Sequence, residues 1–133
     1  MSTPCVLIVD DNAINIELAS FVLDAAGFKV ESVQDPTLAL THVAQSRPDL
    51  ILMDIQMPGI DGLELTRRLK SDPATRDIVV VAFTAYAMKG DEARLRAAGC
   101  DAYVSKPIDV ATFAQTVRAY LGAGAGVPPV EPG

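Results

Sequence analysis

Five short runs rich in valine, isoleucine and leucine punctuate the chain: CVLIV (5–9), FKVESV (28–33), DLILMD (49–54), IVVVAF (78–83) and AYV (102–104). The third and fourth are apolar almost throughout. They lack the polar alternation of a strand with one wet face, so they need cover on both sides. Between the runs lie segments with helical spacing. Ile14, Leu18, Phe21, Val22 and Ala25 share one side of a helical spiral and predict the buried face of the first helix; Phe113, Val117, Tyr120 and Leu121 do the same for the last. Strands and helices alternating in this way predict an α/β fold, a parallel five-stranded sheet between two layers of helices.

The punctuation agrees. Asp35 before Pro36 reads as a cap followed by a proline in the first helical turn, and Gly27 and Gly99 stand where a left-handed residue closes a helix. Asp61 with Glu64 resembles a capping box, and Asp109 is placed to cap the last helix. The segment Met88 to Ala98 has a thin apolar stripe, Met88, Leu95 and Ala98, with Gly90 near its start, and should be the least firmly docked helix. From Gly122 the chain reads GAGAGVPPVEPG, which lacks the apolar periodicity to offset ordering entropy. Residues 1–121 are thus expected to form one domain and 122–133 a flexible tail.

A chain of 133 residues, half of them apolar, can bury an ordinary single core. Its net charge of −6 disfavours nucleic acid and anionic membrane as partners. No apolar stretch approaches bilayer length and no signal peptide opens the chain, so a cytoplasmic location without membrane insertion is expected. Cys5 and Cys100 have no metal-ligand spacing and read as reduced, buried thiols.

Ligands of an open parallel sheet bind beyond the carboxyl ends of its strands. Here the first run ends in Asp10-Asp11, the third in Asp54, the fourth in Thr84 and the fifth in Ser105-Lys106-Pro107. Strand ends entering solvent are often polar, which accounts for any one of these residues taken singly. Three carboxylates meeting at one rim need a counter-charge, because close like charges disfavour joint ionisation. Oxygen donors with room for waters suit Mg²⁺ better than zinc, copper or a Ca²⁺ cage. A carboxylate in that setting, beside a hydroxyl and an ammonium, is chemically suited to attack phosphorus, with Asp54 as nucleophile and Lys106 and Thr84 receiving phosphoryl oxygens. A cis bond at Lys106-Pro107 would aim the ammonium back at the carboxylates.

LIVDDN, LILMDIQMPGIDGLEL, VVAFTAYA and DAYVSKPI resemble the signature segments of the bacterial two-component response-regulator receiver domain, in that family's order and spacing, from about residue 5 to 121. Within the family, TAYAMKGDEARLRAAGCDAYVSKPI is most similar to stand-alone regulators of cell division. The resemblance implies a flavodoxin-like (βα)5 doubly wound fold with strand order 2-1-3-4-5. It implies Asp54 as phosphoacceptor, and Mg²⁺ held by Asp11 directly, by Asp10 largely through water, by Asp54 and by the backbone carbonyl of Gln56. It places the family's hydroxyl and lysine on Thr84 and Lys106, and the aromatic member of its switch on Tyr103. Gln56 and Tyr86 flank the site and are expected to tune hydrolysis of the acyl phosphate.

The implied activity is that of a signalling switch rather than an enzyme: it accepts phosphoryl from a histidine kinase or a histidine phosphotransferase. The altered surface would comprise the helix ending at Ala98, strand 102–104 and the last helix, presented to downstream proteins, kinases of cell-cycle or polarity control among them, by a monomer or a weak phosphorylation-dependent dimer. With no output domain after residue 121, the response is expected to be delivered by binding. A relay shuttle passing phosphoryl to a phosphotransferase is the alternative within this class.

Two other classes compete. A haloacid-dehalogenase-like phosphatase would need its second aspartate where Gln56 stands. A flavin or nucleotide binder would need a glycine-rich phosphate loop after the first strand, where Asp10 and Asp11 stand instead. Smaller signals have plain readings. His42 is expected on the second helix, away from the rim; Met53, Met57 and Met88 are read as core or loop packing; Arg67, Arg68 and Lys70 form a basic patch read as solvated. MPGIDG (57–62) supplies a turn with two glycines.

Overall fold

The computed structural model describes residues 3–55, 57, 59, 61–84, 89–106 and 108–123. The strands are β1 (Cys5–Val9), β2 (Lys29–Val33), β3 (Leu50–Asp54), β4 (Val79–Thr84) and β5 (Ala102–Ser105). The helices are α1 (Ala13–Ala25), α2 (Ala39–Ser46), α3 (Gly62–Ser71), α4 (Lys89–Ala98) and α5 (Phe113–Ala123). The strands pair in parallel in the order β2-β1-β3-β4-β5. The sheet and its order are those the sequence led us to expect.

Side-chain alternation along each strand splits the core into two layers. Val6, Ile8, Leu52, Val81 and Phe83 face Ala19, Val22 and Leu23 of α1 and Phe113, Val117 and Tyr120 of α5. Leu7, Val9, Ile51, Met53, Val80 and Ala82 face Val43 of α2, Leu63, Leu65 and Leu69 of α3, and Leu95 and Ala98 of α4. β3 and β4 are buried at every position, as their unbroken apolar composition demands.

α1 corrects one expectation. Ile14, Leu18 and Phe21 point outward, Ile14 and Phe21 being 73% and 72% exposed, and Ala25 is exposed too, whereas Ala19, Val22 and Leu23 meet the sheet. The helix is apolar on more than one side, so periodicity does not choose its buried stripe. The helix is capped by Asn12, whose side chain accepts hydrogen bonds from the amides of Ile14 and Asn15. On α5 the expected face is the buried one at Phe113, Val117 and Tyr120.

Asp35 caps a short 3₁₀ turn, Pro36–Leu38, that precedes α2. Gly27 and Gly99 take φ of +96° and +104° where α1 and α4 end. Asp61 caps α3 through the Leu63 amide, while Glu64 reaches forward to Arg67 and Arg68. α4 begins at Lys89; Met88 lies outside the described residues, while Leu95 and Ala98 are buried as expected. α5 continues through Ala123, two residues past the expected end of the domain, and the rest of the tail lies outside the described residues.

Candidate functional site

Asp10 follows β1 directly, and its backbone amide donates to the Val33 carbonyl, so the chain is still held to the sheet when the carboxylate appears. Asp10 is fully buried, and its Oδ1 accepts the Asn12 amide at 2.9 Å. Asn12 therefore closes the strand and opens α1 in one turn. Asp11, exposed between them, receives the Gln34 side-chain amide on its backbone carbonyl at 3.4 Å.

Asp54 is the last residue of β3 and 2% exposed. The next segment returns so tightly that a Cβ on Gly62 would collide with the Asp54 carbonyl oxygen and lie 2.7 Å from the Ile55 Cα. Only glycine lets α3 begin there. Thr84 ends β4, fully buried, and its carbonyl accepts the Lys106 amide at 2.8 Å. From that fixed backbone the Lys106 ammonium reaches 3.0 Å from Asp10 Oδ2 and 3.3 Å from Asp54 Oδ2.

The rim thus gathers Asp10, Asp11, Asp54, Thr84 and Lys106 from four strand ends. Carboxylate oxygens of the three aspartates lie within 4.8 Å of one another. Among the described residues of the cluster, the formal negative charges outnumber the one ammonium, which reaches two of the three carboxylates. Although paired in charge with Lys106, the buried Asp10 Oδ2 accepts no hydrogen bond among the described residues. A donor set made only of oxygen, with surplus negative charge and one buried oxygen lacking a hydrogen bond, fits a hard divalent cation of the Mg²⁺ kind.

Tyr103 on β5 is half-buried and packs against the layer that contains Leu95 and Ala98. Gln56, Tyr86 and the Lys106–Pro107 bond lie outside the described residues. His42 sits on α2 away from the rim, its Nε2 2.8 Å from Glu31 Oε1, and that hydrogen bond holds the Glu31 carboxyl below its usual range. Met53 and Met57 are buried packing residues.

Lys70 departs from the solvated reading. Its ammonium donates to the carbonyls of Arg76 and Ile78 and to Asp101 Oδ2 at 3.2, 2.8 and 2.7 Å. Reading the sequence also passed over the parts played by Asn12 and Gly62. The position of Asn12 just before a helical pattern, and the second glycine of MPGIDG, were the available signals.

The model of the response regulator receiver domain family matches residues 6–118. The polar-differentiation response regulator DivK of Brucella anthropi is 49% identical over 117 residues, covering 88% of this chain and 95% of that protein. DivK of Brucella ovis is 48% identical over 120 residues, covering 90% and 98%. Among solved structures, Vibrio cholerae chemotaxis protein CheY4 superposes with a TM-score of 0.83 at 25% identity, over 88% of this chain and 98% of its own. The receiver domain of the Pseudomonas aeruginosa sensor histidine kinase PA1611, described with a magnesium ion coordinated in its active site cleft, gives 0.81 at 30% identity, over 91% and 99%.

Proposed function

Because the chain belongs to the response regulator receiver domain family, we propose that it is a phosphorylation-controlled binding switch whose acceptor is Asp54. The observation that carries this reading is the convergence of Asp10, Asp11 and Asp54, with the Lys106 ammonium reaching Asp10 and Asp54. The family match favours this class over the phosphohydrolase and the nucleotide binder.

Asp10, Asp11 and Asp54 would hold Mg²⁺, with the Gln56 carbonyl as the further expected ligand. The ion, when bound, supplies the positive charge that offsets the crowded carboxylates and the incoming phosphoryl group. Asp54 attacks the phosphorus of a phosphohistidine; the new O–P bond forms as the P–N bond breaks and the imidazole leaves with its electron pair. Lys106 donates to one phosphoryl oxygen and Thr84 to another as charge builds there. Burial of Asp54 keeps bulk water from the acyl phosphate.

An exposed apolar stripe, Ile14, Leu18 and Phe21, runs along α1 from the turn that bears Asp10 and Asp11. Its adjacency to the rim supports a protein as phosphodonor, docked on α1 with its phosphohistidine over Asp54. The similarity to DivK supports a role in polarity or cell-cycle signalling, with sensor kinases among the partners.

Once Asp54 carries phosphoryl, Thr84 moves toward it and Tyr103 turns further inward, changing the surface of α4, β5 and α5. A stable phosphoryl mimic on Asp54 is then expected to shift backbone NMR signals most over residues 84–106; changes confined to the metal ligands would refute the switch. The acceptor itself is tested with labelled acetyl phosphate and Mg²⁺. Wild type takes up label and Asp54→Asn takes up none; a variant that retained label would overturn the assignment.

A further inference from the structure

The carboxylates account for only part of what surrounds Lys106. Its Nζ also stands 4.9 Å from the centroid of the Phe83 ring. That ring is 2% exposed and stacks on Phe113, with 6.3 Å between centroids and 22° between planes. Phe83 precedes Thr84 on β4, in register with Asp54 on one neighbouring strand and Val104 on the other. Its side chain belongs to the layer shared with Ile108, Phe113 and Val117.

The Lys106 side chain therefore starts from a backbone pinned to Thr84 and has this ring beside it as it reaches Asp10 and Asp54. Lysine has a flexible four-carbon stem whose rotamers must be restricted if the ammonium is to meet a developing charge at a set place. An aromatic face attracts an ammonium through its quadrupole, and more strongly when water is excluded. Unlike a further carboxylate, it adds no negative charge to the rim. Nor does it compete as an oxygen acceptor, so the ammonium stays available to the carboxylates and to an arriving phosphoryl oxygen.

We propose that Phe83 is a positioning residue for phosphoryl acceptance: its ring, braced by Phe113, holds the Lys106 ammonium at the carboxylate rim. The role rests on the reading of Asp54 as acceptor. The test places mono-, di- and trifluorinated phenylalanine at position 83 of the full chain, draining the ring face of charge at nearly constant size. Phosphoryl uptake from acetyl phosphate is expected to fall stepwise, reaching roughly three- to thirty-fold below wild type with the trifluorinated ring. Thermal midpoints should stay level across the series. Rates that do not follow fluorination would overturn the proposal, because a purely structural ring would be indifferent to it.

The contact has a readout that needs no phosphoryl group. In wild type the ε-methylene protons of Lys106 should be shifted upfield by the ring current, and Phe83→Leu should abolish that shift; its absence in wild type would equally overturn the proposal. Label retained by Asp54→Asn would instead sink the acceptor reading, while the proton shifts would still decide the contact.

Discussion

The two edges of the sheet both bring carboxylates to a half-buried lysine, yet they end in opposite electrostatic states. At the amino ends of the strands, Lys70 meets Asp101 and two carbonyls, and Asp101 Oδ2 also accepts the Val80 amide at 2.9 Å. Asp49 at the same edge accepts the Cys5 amide at 2.8 Å. There each donor described has its acceptor. At the carboxyl ends, Asp10 and Asp54 share Lys106 with Asp11 close beside them, and among the described residues Asp10 Oδ2 accepts no hydrogen bond. One edge is closed by its own groups, whereas the other is left short of positive charge. The difference teaches that a lysine–aspartate contact does not by itself indicate function; the sum of charges around it does.

The largest expected effect sharpens the geometric side of this contrast. Gly62→Ala forces α3 away from the end of β3, and overpacking against backbone of this kind costs roughly 3 kcal/mol. Urea denaturation should show that loss, and phosphoryl uptake at Asp54 should fall with it. Wild-type stability and uptake would mean that the close approach is dispensable.

Next come two substitutions of opposite sign. Lys70→Met leaves the Arg76 and Ile78 carbonyls and the Asp101 carboxylate without their shared donor, and should destabilise the chain by about 2 kcal/mol. Asp10→Asn removes surplus charge from the rim and should stabilise the metal-free chain by about 1 kcal/mol, while reducing the rise in melting temperature on adding Mg²⁺. Thermal melts with and without Mg²⁺ check both. If Asp10→Asn destabilised the chain as Lys70→Met does, the two edges would not differ in the way described.

The smallest effect concerns alkali. Burial pushes the Cys100 thiol from 9.0 up to about 11. A raised pKa favours the protonated thiol of the folded state, so its contribution is complete below the unfolded value of 9.0 and is lost as pH climbs toward about 11. Stability should fall by roughly 1 kcal/mol between pH 9 and about pH 10, and Cys100→Ala should remove that part of the slope. An unchanged slope in the variant would assign the loss to other groups.

Much of this architecture was legible in the residues. The apolar runs located five strands, and Asp10, Asp11, Asp54, Thr84 and Lys106 stood out because each sits at or just beyond the end of such a run. α5 was legible for the same reason, since its apolar residues lie on one stripe. α1 was not, because a helix apolar on several sides carries no periodic signal for which side the sheet will take. Lys70 was misread because its three acceptors come from the loop after α3, the residue before β4 and the residue before β5.

The sequence by itself determined the period of the elements and the kinds of group at each strand's end, since both are local properties of a polypeptide. Only the tertiary structure decided which lysine is saturated and which is shared among too many anions, which helix face stays exposed, and that an aromatic ring stands beside Lys106. Those outcomes depend on distances between residues far apart in the chain, and electrostatic and packing energies are functions of distance, not of order along the backbone.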